Sequence, residues 1–423
     1  MHFKSFTFNF LVLAFTISSI SVNIQINALN NGLGYLPQMG YNTWYDLQCN
    51  IDELILKETI DKFVELKLPE LGYNYFNLDD CWATNRTKDG ILIADPNKFT
   101  DASLKTLADY AHSKHLKFGT YTDRGPTTCA GRPAAKGYEE LDAKTYASWG
   151  VDYLKEDSCN APTDHESAFE EYGKMRDALN ATGRKIFFSL CGWNGWYAPK
   201  GYELGNSWRI GPDDTNWNGL LTNIDINAGL YKYASHGGFN DPCLLLAEES
   251  NGIQRVTELQ TRFQFSMWAI MTSPLLISGN IRNMSTMNLQ TYMNKDVIAI
   301  NQDPLAKQGM RIVGGNLQFQ DDTSINVWGK PLSNGDVALA FGNAGLIDQD
   351  IECNEGCLTY AFDMITIHNG VQSTIISDDK NNMICGFNIW DNKKLTSFSI
   401  ANGYVANSVK ANGGMVLLRL HKC

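Results

Sequence analysis

Short runs of β-branched and aromatic residues alternate with amphipathic helical segments over the first two thirds of the chain. The helical patterns lie at 52–68, 101–115, 139–149, 164–181, 217–234 and 252–271. The predicted strands span 39–44, 73–80, 116–123, 151–157, 185–193, 207–213, 237–242 and 274–279. Eight strands that alternate with helices favour an α/β fold, a parallel sheet closed into a (β/α)8 TIM barrel. A doubly wound open sheet is the alternative, but no glycine-rich phosphate turn follows the first strand.

Polar and aromatic residues recur where the predicted strands end. They are Trp44, Asp79, Asp80, Tyr121, Asp123, Lys155, Asp157, Arg209, Asp213 and Asp241. One charged strand end is ordinary, because strands end at surfaces. The carboxyl ends of barrel strands, however, converge on a single face, where active sites form. The sequence therefore predicts a carboxylate-rich site at that face.

The types of side chain in this set limit its chemistry. They include no histidine cluster, so serine-type triads and zinc centres are poorly supported. A magnesium site at Asp79 and Asp80 would usually accompany a phosphate substrate and its glycine-rich cradle. Carboxylates beside aromatic rings suit sugars, and two opposed carboxylates are the machinery of glycoside hydrolysis.

The N-terminal sequence contains a short apolar stretch. Lys4 precedes an apolar core at 8–22 that asparagine and serines interrupt. We expect a signal peptide over 1–28, with an uncleaved anchor as the alternative. The ten cysteines are also consistent with export, because disulfides form in oxidising compartments. Three sequons are compatible with glycosylation, at Asn85, Asn180 and Asn283. Secretion and lysosomal delivery both begin with a signal peptide, so both destinations stay open.

The sequence pattern changes near residue 305. Helical periodicity fades, and short alternating runs follow: SINVWGK, DVALAFGN, LTYAFDMITIH, TSFSIANGY and GGMVLLRL. We therefore expect a catalytic barrel over 29–304 and an antiparallel β-sandwich over 305–423. The net charge of −11 argues against nucleic acid or an anionic membrane as the main partner. No later stretch is apolar enough to span a bilayer.

Several motifs together resemble those of family 27 glycoside hydrolases, the α-galactosidases and α-N-acetylgalactosaminidases. In order, they are GYNTWY, NLDDCW, YLKEDSC, SWRIGPDD, GGFNDP, SMWAIMTSPLLISGNI and VIAINQDPLAKQG. The resemblance implies a barrel followed by a sandwich. It also implies an exo-acting, retaining α-galactosidase with an α-galactoside as its substrate, and it implies no cofactor and no metal.

The resemblance assigns a role to most strand-end residues. Asp157 corresponds to the nucleophile and Asp213 to the general acid/base, roughly 5–6 Å apart in a retaining enzyme. The other residues would bind the sugar: Asp79 and Asp80 its axial and primary hydroxyls, Lys155 and Arg209 its ring hydroxyls, with Trp44 and Tyr121 as walls. The implied disulfides are Cys49–Cys81, Cys129–Cys159 and Cys353–Cys357. The partners of four cysteines stay unassigned: Cys191, Cys243, Cys385 and Cys423.

The spacing of the charged residues also predicts their protonation. Lys155, two residues before Asp157 in a strand, lies on the same face. We expect Lys155 to favour ionised Asp157, and we expect the negative Asp157 to help keep Asp213 protonated.

Three positions depart from the family pattern. Glu156 replaces an aromatic residue, and we expect it to face away from the sugar. Gly192 replaces a glutamate that senses the sugar 2-position, which with Gly195 nearby would leave room for a 2-acetamido group. Cys243 replaces an aspartate on the leaving-group side. Two alternatives therefore stay open, an α-N-acetylgalactosaminidase and a non-catalytic galactose-binding protein. The aglycone (oligosaccharide, galactomannan, glycolipid or glycoprotein) and the oligomeric state also stay open.

Overall fold

The computed structural model describes residues 31–250, 252–369 and 383–423. The signal peptide predicted over 1–28 lies outside these ranges.

Eight parallel strands form the main sheet, and each lies within a predicted strand. They are β1 Met39–Asn42, β2 Tyr75–Asn77, β3 Lys117–Asp123, β4 Tyr153–Asp157, β5 Phe187–Leu190, β6 Ser207–Arg209, β7 Phe239–Asp241 and β8 Leu275–Ile277. The sheet runs β8-β1-β2-β3-β4-β5-β6-β7. Beyond β7, Leu245 pairs in parallel with Ile277 of β8, and its amide donates to the Leu276 carbonyl at 2.8 Å. The predicted TIM-type architecture is confirmed.

Amphipathic helices cover the outside of this sheet. They are α1 Glu53–Glu65, α2 Lys105–Ser113, α3 Glu139–Trp149, α4 His165–Ala181, α5 Trp217–Ala228 and α6 Glu258–Ile270, followed by α7 Thr286–Tyr292 and α8 Lys295–Asn301. In α1, Leu56, Ile60 and Phe63 are fully buried, as their spacing predicts. Asp52 caps this helix by accepting from the Ile55 amide at 2.8 Å. Between β5 and β6 the chain forms only short helical turns, Gly195–Tyr197 and Gly201–Leu204.

The C-terminal region is built from antiparallel strands, as predicted. They are β9 Met310–Val313, β10 Ile325–Pro331, β11 Val337–Asn343, β12 Gln349–Cys353, β13 Met383–Asn388, β14 Tyr404–Val409 and β15 Gly414–Lys422. A larger sheet contains the order β9-β10-β11-β15-β13, while β12 pairs with β14 in a second sheet.

One C-terminal prediction is wrong. The run LTYAFDMITIH, read as a strand, belongs to helix α9, Glu355–Asn369. Leu358, Ala361 and Phe362 are buried at the i, i+3, i+4 spacing of a helix face. Asn354 begins the helix by accepting from the Cys357 amide at 3.0 Å. The apolar residues of this run fit a helical period as well as an alternating one.

Alternating residues of β10 and β11 face two different cores. Trp328, Ala338 and Ala340 pack into the barrel's hydrophobic core. Val327 and Leu339 belong to a second core, which includes residues of α9. The large C-terminal sheet therefore packs against the barrel on one face and against its own helix on the other.

Candidate active site

The predicted site residues lie at or just beyond the carboxyl ends of the barrel strands. Four of these residues lie just beyond a strand end. Trp44 follows β1, Asp79 and Asp80 follow β2, and Asp213 follows β6. The remaining side chains lie within strands, namely Tyr121, Asp123, Lys155, Asp157, Arg209 and Asp241. Parallel strands place these ends on one rim of the barrel, which we call the mouth.

Lys155 lies at the centre of the mouth. Its Nζ donates to Asp79 Oδ2 at 2.9 Å, lies 3.8 Å from Asp157 Oδ2, and lies 5.0 Å from the centre of the Tyr121 ring. Asn42 Nδ2 donates to the same Asp79 oxygen at 2.8 Å. Burial disfavours a charged lysine, but these carboxylates outweigh it and raise the pKa of Lys155. Lys155 is therefore a cation fixed between two carboxylates.

Asp157 is buried and held at both oxygens. Tyr121 donates its hydroxyl to Oδ2 at 3.0 Å, and the Ser158 amide donates to Oδ1 at 3.0 Å. Burial raises the pKa of Asp157, Lys155 opposes that shift, and Asp213 adds to it. The carboxylate is thus oriented, and its charge is costly to maintain.

Asp213 differs from Asp157 in exposure and in partner. Its side chain is 47% exposed, and Arg209 Nη2 donates to its Oδ1 at 2.8 Å. Burial acts to raise the pKa of Asp213, but the Arg209 and Lys155 charges outweigh it and lower the pKa. The expected effect of Lys155 is confirmed, since Lys155 lowers the pKa of Asp157. The expectation that Asp157 keeps Asp213 protonated is wrong, because the Arg209 and Lys155 charges lower the pKa of Asp213. The local sequence shows neither how deeply the Asp157 side chain is buried nor that Arg209 contacts Asp213.

Asp80 accepts hydrogen bonds from the loop that follows β3. Its Oδ1 accepts from the Thr128 hydroxyl and its Oδ2 from the Ala130 amide, each at 2.9 Å. The Cys81 amide also donates to Oδ1, at 2.6 Å. Burial raises the pKa of Asp80. Asp80 therefore fixes the segment that carries Cys129 beside the nucleophile candidate.

Two disulfides lie near the mouth, and two cross-link segments of the C-terminal region. Within the described residues the bonds are Cys49–Cys81, Cys129–Cys159, Cys353–Cys357 and Cys385–Cys423. The first three are the pairs that the resemblance implies, and the fourth joins two cysteines that were unassigned. Cys129 and Cys159 lie within ligand distance of Asp123 and Asp157, but their sulfurs are bonded to each other and offer no thiolate to a metal.

Two cysteines are free and buried near Arg209. Arg209 Nη1 donates to Cys191 Sγ at 3.6 Å. Cys243 has φ of 124°, and its sulfur lies 3.5 Å from the Tyr45 hydroxyl. Its amide donates to Asp241 Oδ1 at 2.9 Å, so this carboxylate holds a strained turn, which its position in the NDP sequence also suggests.

Glu156 faces away from the mouth, as predicted. It is fully buried, and neither carboxylate oxygen has a hydrogen-bond partner among the described residues. Burial raises its pKa well above the ordinary value, and Asp123 and Glu139 of α3 raise it further. Glu156 thus lies in the layer between the barrel wall and the helices.

The space beside Gly192 is already filled. A Cβ added at Gly192 would lie 2.0 Å from the Tyr197 ring. Tyr197 is 1% exposed and stacks on Phe169, with 5.8 Å between ring centroids. A Cβ at Gly195 would instead contact Ile226 of α5. Sequence reasoning missed Tyr197, because the sequence does not show that this ring folds back over Gly192.

The three predicted glycosylation sites share an exposed position: Asn85, Asn180 and Asn283. Glycosylation remains a prediction. Within the described residues, no helix has both the length and the apolar character needed to cross a bilayer.

Comparison with known proteins identifies the family. A family model described as Alpha galactosidase A matches residues 36–303, well over half of the chain. The chain belongs to this family. It is therefore a glycoside hydrolase, as its motifs predict.

Individual relatives agree with this assignment. An alpha-galactosidase from Coffea arabica is 46% identical over 323 residues, which are 75% of this chain and 81% of the relative. The crystal structure of alpha-galactosidase I from Mortierella vinacea is similar, with a TM-score of 0.81 at 31% identity over 93% of this chain and 98% of its own. An alpha-galactosidase from Saccharomyces cerevisiae, solved with raffinose, has a TM-score of 0.80 at 28% identity and covers 93% of this chain and 99% of its own.

Proposed function

We propose that this protein removes terminal α-galactosyl residues from the non-reducing ends of galactosides, with retention of configuration. Asp157 is the nucleophile and Asp213 the general acid/base. The observation that carries the proposal is the mouth itself: Asp157 is fixed by Tyr121 and Ser158, and a half-exposed Asp213 lies beside Arg209. The family and the raffinose-bound relative support the choice of an α-galactoside as substrate.

The reaction follows from these positions. An oxygen of Asp157 attacks the anomeric carbon and forms a glycosyl-enzyme, while Asp213 donates its proton to the departing glycosidic oxygen. Asp213 then takes a proton from water, which attacks the anomeric carbon and releases galactose and Asp157. The two displacements together retain the configuration. Tyr121 and Ser158 hold Asp157 in one orientation, so little reorganisation is needed during the attack.

The charged residues around Lys155 bind the sugar hydroxyls. Asp79 is held by Lys155 and Asn42, and a fixed carboxylate of this kind can accept from two hydroxyls at once. Lys155 and Arg209 donate to hydroxyl oxygens, Asp80 accepts from the primary hydroxyl, and Trp44 and Tyr121 wall the pocket. Two of these groups, Lys155 and Asp79, already form one network with the nucleophile.

The pKa shifts of Asp157 and Asp213 affect how activity depends on pH. Asp157 must be ionised and Asp213 protonated for the first step, yet burial raises the pKa of Asp157, and Arg209 lowers that of Asp213. Both shifts therefore oppose the protonation that the first step requires. A sugar hydroxyl that engages Arg209 weakens its pairing with Asp213, so the pKa of Asp213 rises in the complex.

Tyr197 supports galactose over N-acetylgalactosamine. The resemblance places Gly192 near the sugar 2-position, and a glycine there would leave space for an acetamido group. Tyr197 fills that space from the neighbouring turn. The oriented carboxylate pair also favours an enzyme over a binding protein.

A pair of substrates tests the proposal. Purified protein is given nitrophenyl α-galactoside and nitrophenyl α-N-acetylgalactosaminide at pH 4–7, and NMR follows the anomeric configuration of the first sugar released. We expect the galactoside to be hydrolysed with α-galactose as the first product. A β-anomer first product would refute the retaining roles, and a preference for the acetamido sugar would refute the role of Tyr197.

We further propose that the chain is exported, secreted or lysosomal, with a signal peptide over 1–28, a catalytic barrel over 29–304 and a C-terminal β-domain over 305–423. The exposed sequons and the disulfides support export. N-terminal sequencing of the protein purified from a secreting host is the test. A mature chain that begins at Met1 would contradict it.

A further inference from the structure

Asp214 directly follows the acid/base candidate in the chain, and the two neighbours differ in burial. The Asp213 side chain is 47% exposed, whereas Asp214 is fully buried. Both belong to the short segment that joins β6 to α5. A buried carboxyl costs free energy unless partners satisfy it, so the contacts of Asp214 indicate what it does.

The partners of Asp214 come from α6 and from the segment after β7. Gln264 of α6 donates its Nε2 to Asp214 Oδ2 at 3.4 Å and to the Leu244 carbonyl at 3.1 Å. Gln264 Oε1 accepts from the Leu246 amide at 2.9 Å. Burial raises the pKa of Asp214, and the adjoining Cys243 thiol opposes that rise. Asp214 therefore connects the segment after β6 to the segment after β7.

The residue on the other side of Asp213 is held as well. Asn223 of α5 is fully buried, and its Nδ2 donates to the Pro212 and Pro242 carbonyls, each at 2.8 Å. This amide joins the same two segments that Asp214 joins. Asp213 thus projects from a segment that is fixed on both sides.

The position of Asp213 matters because proton transfer requires it to lie within hydrogen-bond reach of the glycosidic oxygen. A displacement of about 1 Å can lower a rate by roughly 10²-fold. Arg209 donates to one carboxylate oxygen of Asp213, so this contact orients the side chain and not the backbone. The buried contacts of Asp214 are therefore suited to fix the backbone of the acid/base.

Cys243 connects this arrangement to a departure from the family pattern. The resemblance places an aspartate at position 243, and this chain has a free, buried cysteine there. Asp214 brings a carboxyl next to that cysteine from the segment after β6. Because the two side chains adjoin, a carboxyl on residue 243 would reach the space that the Asp214 carboxyl fills.

We propose that Asp214 is a positioning residue, whose buried carboxyl fixes the backbone of the acid/base and replaces the carboxyl that Cys243 lacks. The inference rests on the proposed function, since it takes Asp213 as the acid/base. Asp214 does not transfer the proton itself, because its side chain is fully buried. Its loss should therefore impair proton donation to the leaving group more than it impairs the rest of the reaction.

Two substrates with the same sugar separate proton donation from the other steps. The leaving group of methyl α-galactoside must be protonated, whereas the fluoride of α-galactosyl fluoride departs with little need of a proton. The measured quantity is the ratio of kcat/KM for the methyl galactoside to kcat/KM for the fluoride. Both values come from one sample, so the ratio does not depend on the folded fraction.

The single variant Asp214→Ala should lower this ratio by about ten-fold, a part of the roughly 10²–10⁴-fold that general acid catalysis supplies. Adding Cys243→Asp to that variant should return the ratio to near the wild-type value, because a carboxyl again fills the space. Asp303→Ala is the matched control: this buried carboxylate accepts from the Ser333 hydroxyl at 2.9 Å, outside the mouth. The control should keep the wild-type ratio even where its melting temperature falls.

An unchanged ratio in Asp214→Ala, or an equal fall in the control, would overturn the proposal. A double variant that does not fold, or that keeps the low ratio, would also overturn it, whether or not the single variant folds. Asp213→Ala should lower the ratio further than Asp214→Ala does. A wild-type ratio in Asp213→Ala would instead overturn the proposed function.

Discussion

The buried charged side chains at the barrel mouth differ in their partners from two buried charged side chains outside the barrel wall, Glu156 and Lys330. At the mouth, Lys155 lies between Asp79 and Asp157, and Arg209 pairs with Asp213. Outside the wall, two charged side chains lack such pairing: Glu156 has no partner for its carboxylate among the described residues, and Lys330 donates to the backbone carbonyls of Ala269 and Ile300. Opposite charges offset part of the cost of burial at the mouth, whereas Glu156 and Lys330 have no ion-pair partner among the described residues to offset theirs. Substitutions at the mouth should therefore change catalysis, and substitutions outside should change stability.

The largest effect is expected for Asp157→Asn. An amide cannot act as the nucleophile, so kcat on nitrophenyl α-galactoside should fall by at least about 10³-fold. The melting temperature should not fall, because burial disfavours the charge that the substitution removes. Asp109→Asn, on the exposed face of α2, is the control and should keep full activity. Near-wild-type turnover by Asp157→Asn would contradict the assignment of the nucleophile.

Tyr197→Ala should change the specificity of the mouth. Removing the ring reopens the space beside Gly192, so kcat/KM for the acetamido substrate relative to the galactoside should rise by about ten-fold or more. The same variant should lose roughly 3–5 kcal/mol of stability, since a large buried ring is deleted. Tyr197→Phe keeps the ring and is the control for specificity. An unchanged substrate ratio in Tyr197→Ala would show that this ring does not limit the 2-position.

Sequence patterns predicted the barrel better than the interactions at its mouth. Each strand could be found because a buried apolar run ends in polar residues, as in VDYLKED at 151–157. The cap at Asn354 and the helix that follows were missed, because an apolar run of that length fits two periods. The contact of Arg209 with Asp213 and the position of Tyr197 depend on how loops fold back onto the barrel. Neither spacing nor composition encodes those contacts, so the effect of Lys155 on Asp157 could be predicted but the lowered pKa of Asp213 could not.

The pH dependence of turnover tests the pairing at the mouth. The pKa of Asp213 is lowered by Arg209 in the free protein and should rise once a sugar engages Arg209. Because the pKa of Asp157 is raised and that of Asp213 is lowered, Asp213 sets the acidic limb in the free enzyme. The profile of kcat/KM reports the free enzyme, and that of kcat reports the complex. We therefore expect the acidic limb of kcat to lie at higher pH than that of kcat/KM, with both optima acidic. Coincident limbs would contradict a role for Arg209 in this shift.

Glu156→Gln should stabilise the protein at neutral pH without changing activity. Burial raises the pKa of Glu156 in the folded state, so the folded protein binds its proton more tightly than the unfolded chain does. Its contribution to stability is therefore complete below the unfolded pKa and is lost as pH rises toward the folded pKa. Removing the charge should gain roughly 1–3 kcal/mol at pH 8 and little at pH 4. Thermal unfolding at both pH values measures this, with exposed Glu140→Gln as control; a larger gain at pH 4 would contradict it.

Lys330→Met should show the opposite pH dependence. Burial lowers the pKa of Lys330 to about 7, so the unfolded chain binds the proton more tightly between that value and 10.5. Stability from this residue therefore rises with pH over that window, and the lysine is most costly below pH 7. We expect the melting temperature of the variant, relative to wild type, to be higher at pH 5 than at pH 10. Lys174→Met, on the exposed face of α4, should show no such difference. A gain for Lys330→Met that is independent of pH would mean that packing, and not charge, sets its cost, and the contrast between the two regions would then rest on Glu156 alone.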